Sequence, residues 1–135
     1  MSGLQTYLPV IGRILISIIF LVSGVGKIMQ PDFYIGYMEA FGVPGILIWP
    51  TIVLEIVGGV LLIIGYQTRW AAAALALFTL VSGLIFHTNF ADPNEQVNFM
   101  KNLAMVGGFL YVIAYGAGAF SVDNRSLPAG VRAGA

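Results

Sequence analysis

Four apolar runs, at about residues 8–29, 46–65, 70–90 and 99–120, set the terms on which this chain can fold. Each is about twenty residues long, the length of a helix that crosses a bilayer. A spanning segment in lipid must satisfy its own backbone hydrogen bonds, so each run is predicted to be an α-helix. Breakers mark the connections: Gln30-Pro31-Asp32, Pro44-Gly45, Tyr66-Gln67-Thr68-Arg69 and Ala91-Asp92-Pro93-Asn94. Connections this short make neighbouring spans antiparallel. The predicted fold is therefore an all-α, transmembrane four-helix antiparallel bundle, one domain over residues 1–125, with residues 126–135 as a flexible tail.

Composition agrees. Only 9% of the residues are charged and 59% are hydrophobic, whereas a soluble domain carries roughly 25% charged residues. Such a chain cannot cover a globular surface with polar groups, so its first partner is the lipid bilayer. Six basic and six acidic residues cancel, which leaves no electrostatic footprint for nucleic acid. Without cysteine the chain has no disulfide, thiolate metal site or dithiol relay of its own. A lone histidine, His87, leaves no self-contained histidine cluster for a metal, although a site shared with a partner stays open. The first run starts at Leu8, lacks an A-x-A-like cleavage site and meets Lys27 at its end. It reads as a retained helix rather than a signal peptide.

Basic residues set the expected orientation. Arg13, Arg69, Arg125 and Arg132 fall on the side of both termini, against Lys27 and Lys101 on the other. The positive-inside rule then places both termini in the cytoplasm, in a multi-pass inner-membrane protein. The segment PDFYIGYMEAFGVP, between the first two spans, is too short to cross. Phe33, Tyr34, Tyr37, Met38 and Phe41 recur in it at helical spacing. It is expected to form a short interfacial helix, either a connector with aromatic anchors or a lid.

Glu55 stands near the centre of the second span. Thirteen Leu, Ile and Val residues of that span contribute about −4 to −8 kcal/mol to insertion at roughly −0.3 to −0.6 each. A central charge costs about 3 kcal/mol, so the span inserts, but the carboxylate should face protein. Arg13 lies about 8 Å below the midpoint of the first span and Lys27 about 13 Å above it, at roughly 1.5 Å per residue. The nearer cation suggests a structural ion pair, Arg13–Glu55, that holds helix register. The functional alternative makes Glu55 a titrating or ligand-receiving group on the floor of a cavity. Pro50, one residue before Thr51, is expected to kink this helix.

The outer ends are richer in polar groups. Ser23 and Lys27 from the first span, His87 from the third, and Lys101 and Asn102 from the fourth come within about two turns of one surface. They are candidates to line one pocket under the aromatic segment, although Lys27 and Lys101 could equally snorkel to headgroups. Gly58-Gly59 and Gly107-Gly108 suit either internal packing or contacts in a homo-oligomer.

Taken together, RILISIIFLVSGVGKIMQP (residues 13–31), LEIVGGVLLIIGYQTRWAAAALA (54–76), His87 and KNLAMVGGFLYVIAYGAGAFSVD (101–123) resemble the DoxX family of small four-helix membrane proteins. The likeness covers about residues 8–125. It implies an association with quinol oxidase and thiosulfate–quinone chemistry. Relatives are labelled oxidoreductases, grouped with quinone, catechol and redox stress, and some are membrane partners of soluble redox enzymes. The positions carried over are Arg13, Lys27, Glu55, Arg69, His87 and Lys101. The first expectation is a quinone- or phenol-linked oxidoreductase, or a membrane subunit of a redox complex. Glu55 and His87 would be its catalytic proton carriers, and Ser23, Lys27, Lys101, Asn102 and Phe86 its ligand-binding residues. No flavin or haem motif is recognisable, so no intrinsic cofactor is expected, quinone is the candidate ligand and any electron donor is external. The competing expectation is a non-catalytic anchor or assembly factor for a soluble redox enzyme. A transmembrane solute or proton pathway ranks last, since four short helices leave little room for a pore.

Overall fold

Helix ends fall where backbone chemistry demands them. The computed structural model describes residues 2–132, with helices α1 (Ser2–Met29), α2 (Pro31–Ala40), α3 (Ile48–Ile64), α4 (Thr68–Phe86), α5 (Pro93–Tyr115) and α6 (Val122–Arg125). Single 3-10 turns cover Gly45–Leu47 and Ala129–Val131. α3 stops at Gly65, where φ is 73°, a left-handed value that glycine adopts without a Cβ clash. α5 begins where the Asp92 carboxylate accepts from the Asn94 N–H at 2.9 Å, with Pro93 in the first turn. That start precedes the expected residue 99 because the first two turns are polar and hydropathy hides them. Pro50 causes no break inside α3. It falls in the first turn after the 3-10 segment, where helix N–H groups are unpaired in any case.

α1, the Gly45–Ile64 segment, α4 and α5 are each long and apolar enough to cross a membrane. The expected all-α four-span bundle forms, with α2 as the short helix between the first two spans. Burial is distributed as lipid requires. Leu15, Val22, Val53, Leu77 and Leu110 are exposed, whereas Arg13, Ser17, Glu55, Thr79 and Asn102 are buried. Water cannot satisfy polar groups in the bilayer, so they turn towards each other and the apolar side chains face out.

Close helix contact depends on small residues at the seams. A Cβ on Gly24 would meet the Ile56 side chain at 2.7 Å, and one on Gly59 the Leu21 side chain at 2.8 Å. These two positions bring α1 against α3. Gly83 admits Asn102 between α4 and α5 in the same way. Between them lies an apolar core of Phe20, Leu62, Ala72, Leu75 and Phe109. A second cluster, Met38, Ile48 and Ile52, fastens α2 to the start of α3.

The C-terminal segment binds the other end of the bundle. Tyr7 stacks on Phe120 with ring centroids 5.2 Å apart, so the first turns of α1 overhang α3 and pack on this segment. Within it, the Arg132 guanidinium donates to the carbonyls of Leu127 and Arg125. Residues 133–135 of the expected tail lie outside the described residues.

Candidate functional site

α1 and α3 run antiparallel with Gly24 level with Glu55 and with Arg13 level with Gly65. This register decides the partner of the buried carboxylate. Lys27 Nζ donates to Glu55 Oε1 at 2.7 Å and to Ser23 Oγ at 2.7 Å, with the Glu55 side chain 2% exposed. The expected Arg13–Glu55 pair is therefore wrong. Arg13 sits ten residues from the level of Glu55 on α3, about 15 Å along the axis, because α1 extends further towards its N-terminus than its apolar run suggested.

Arg13 does different work. Its guanidinium donates to the carbonyls of Leu62 at 2.8 Å, Ile63 at 3.1 Å and Phe120. The first two are among the carbonyls that the end of α3 leaves without helical partners, at the negative end of the helix dipole. Asp123 completes the turn from the other direction. Its carboxylate accepts from the N–H groups of Gln67 at 2.8 Å and Thr68 at 2.9 Å, and its own N–H donates to Gly65. Burial alone would raise the Asp123 pKa, but the donors of Thr68 and Gln67 and the charge of Arg13 outweigh it, and the carboxyl lies below its ordinary value. A cation thus closes α3 and an anion opens α4.

At the α2 end of the bundle, the Lys27–Glu55 pair forms part of the wall of a cavity of about 810 Å³, within the range of small-molecule sites. Most of its lining is apolar or aromatic. α2 roofs it with Phe33, Tyr34, Tyr37 and Met38, and Phe86 closes it from α4. Tyr37 stacks on Phe86 at 5.4 Å between centroids, and Phe41 meets Phe86 edge-on at 5.1 Å. Lys27 Nζ lies 5.2 Å from the centre of the Tyr34 ring, a distance at which the ring face attracts a cation. Burial and the charge of Glu95 both raise the Tyr37 pKa, so its hydroxyl remains a donor at neutral pH.

A second polar patch belongs to α4 and α5. Asn102 Nδ2 and Ser82 Oγ both donate to the Thr79 carbonyl, at 3.0 and 3.1 Å. Thr79 Oγ1 is buried and has no hydrogen-bond partner among the described residues. His87 ends α4 at the cavity mouth, where its Nδ1 lies 2.8 Å from Glu95 Oε2. Among the described residues no third His, Asp or Glu joins them as a metal-binding group.

Ser23, Lys27, Glu55, Phe86, His87 and Asn102 line one cavity. Lys101 does not. It is exposed while its neighbour Asn102 is 7% exposed. It sits about 100° round α5 from Asn102, far enough here to turn its side chain out of the bundle. Two lining residues and the partner of His87 escaped the sequence reading of the pocket. Thr79 and Ser82 were visible as polar residues sharing a face of the third span, and Glu95 as a carboxylate across a short turn from His87.

The DoxX family model matches residues 8–88. The inner membrane protein YqjF of Escherichia coli is 42% identical over 124 residues, covering 92% of this chain and 95% of that protein. YphA, another inner membrane protein of that organism, is 33% identical, covering 87% of this chain and 89% of its own. CatD of Bacillus subtilis, which carries an oxidoreductase name, is 32% identical over 73 residues, 54% of each chain. No solved structure matches.

Proposed function

This chain belongs to the DoxX family of integral membrane proteins, and we propose that its outer cavity binds a quinone- or phenol-class molecule taken from the bilayer. The observation that carries this reading is a buried Lys27–Glu55 pair on the wall of an aromatic, lipid-embedded cavity. A quinone needs donors at its carbonyl oxygens and flat apolar walls. An ammonium has three donors, and Ser23 and Glu55 take two of them. The third is available to a ligand oxygen beside the Tyr34 ring. The hydroxyl of Tyr37 is a further donor along the same cavity.

Reduction of a quinone to a quinol takes up two electrons and two protons. The electrons come from a separate redox protein, soluble or membrane-bound, and the protons enter from the outer side. The groups placed to pass the protons to the ligand are His87, paired with Glu95, and Glu55 beside Lys27. The oxidoreductase name of CatD is consistent with this chemistry. The protein works in the inner membrane, where YqjF and YphA are named as residing, with both termini cytoplasmic.

A second reading has its own support. The Lys27–Glu55 pair is closed within the protein, as a register clip between α1 and α3 would be. On that reading the protein is an anchor or assembly factor for a soluble redox enzyme. Organic extraction of purified protein and a thermal shift with added quinone separate the two. Co-purifying quinone, or a shift that Lys27→Met abolishes, supports the binding site. A washed sample that carries no quinone and shows no shift leaves the anchor.

A further inference from the structure

The cavity does not end at the charged pair. On the lipid-facing seam of α3 and α4 a second groove, about 550 Å³, continues inward from it, and the two share Leu54 and Ala74. Below that junction the groove passes Val57, Gly58 and Leu61 on α3 and reaches Trp70 and Gln67 at the start of α4. Its course follows from the sequence. The short turn after Ile64 holds the inner ends of α3 and α4 together, while Gly58, Ala71 and Ala74 leave a trench where larger side chains would make a ridge. From Leu54 to Leu61 it follows α3 for about 10 Å.

We propose that this trench holds the apolar tail of the molecule whose head group occupies the cavity. The substrate class is then a long-tailed quinone or quinol rather than a small water-soluble phenol. This rests on the reading of the cavity as a head-group site. Three observations favour a ligand tail over an ordinary lipid chain. The trench adjoins the cavity at Leu54 and Ala74, which line both. Although it starts beside Pro50 and Val53, most of its length, from Val57 to Gln67, lies beyond Glu55, so a tail filling that stretch is placed to leave its polar end beside Lys27 and Glu55. Its rim residues Val53, Val57 and Trp70 are exposed to lipid, so a tail enters sideways without parting the helices. A tail that moves from lipid into the trench gains packing contacts rather than escape from water.

The test compares a decyl-tailed benzoquinone with its tail-less counterpart, by titration of full-length protein in one detergent. Wild-type protein should bind the tailed compound about tenfold more tightly after correction for detergent partitioning. Val57 is half exposed and lines only the trench, so Val57→Phe fills the trench without touching the core. It should erase the preference and leave tail-less binding unchanged, while Val57→Ala keeps the preference. A ratio that survives Val57→Phe overturns the tail site and leaves the head-group site standing. Wild-type protein that binds neither compound overturns both.

Discussion

Lys27 and Glu55 are unequal partners. The lysine side chain is 14% exposed and close to the outer end, whereas that of Glu55 is 2% exposed. Lys27→Met leaves a carboxylate stranded in the bundle and should cost about 3 kcal/mol. Glu55→Gln frees a lysine that can turn outward, and it should cost distinctly less. The double variant should be more stable than Lys27→Met alone, because no charge remains to be buried. Unfolding of all three in mixed micelles checks the order; equal losses in the singles that add in the double would contradict the pairing. Only part of this was legible in the sequence. A mid-span carboxylate announces an interior partner, but the choice between two cations depends on helix register. That register is set by Gly24 and Gly59 and by the packing of Tyr7 on Phe120, none of which hydropathy reports. Lys101 is exposed beside the buried Asn102, a difference in facing that depth along a helix does not report.

Among the elements, the turn between α3 and α4 depends most on charge. Asp123 caps α4 from a distant segment, so Asp123→Asn should destabilise the fold by about 1 kcal/mol at neutral pH, the usual worth of such a cap. The pH dependence has a definite sign. The folded pKa of Asp123 lies below the ordinary carboxylate value. Its stabilising effect is therefore complete above the unfolded pKa of about 3.9 and is lost as pH falls through the lower folded value. Wild-type and Asp123→Asn stabilities should converge in that acid range, and a constant gap down to the lowest pH would exclude the cap. Helix existence was legible at this scale from the apolar runs, and the Asp92-Pro93 start of α5 was legible in principle as capping chemistry. The cap by Asp123 was not, since no local pattern links residue 123 to residue 67.

Across the whole molecule, the polar interior divides by depth. Arg13 and Asp123 bind the expected inner end, at the α3–α4 turn, as structure, while Lys27, Glu55, His87 and Asn102 gather at the α2 end around space. Arg69, Arg125 and Arg132 add to the inner end, which makes it the expected cytoplasmic face. The chain has no native cysteine, so single cysteines at Ser126 and Asn89 report orientation cleanly. A membrane-impermeant maleimide applied to intact cells should label the second and spare the first; the reverse pattern would invert the assigned proton path. The bundle itself was legible from run lengths and loops, and a pocket was expected from the depth of the polar groups, but the shape of the cavity was not legible. It arises from the seating of α2 on the start of α3 and from the trench between α3 and α4, both products of packing.

The central claim is that the outer charged groups face a ligand rather than merely each other. A photoactivatable azidoquinone, cross-linked to the protein in membranes and mapped by mass spectrometry, addresses it most directly. Labelling should concentrate on Ser23, Lys27, Thr51, Ser82 and Phe86, and unmodified quinone should compete it away. Non-competable labelling spread over lipid-facing residues such as Leu15, Val22, Leu110 and Tyr115 would show that the cavity takes no such ligand.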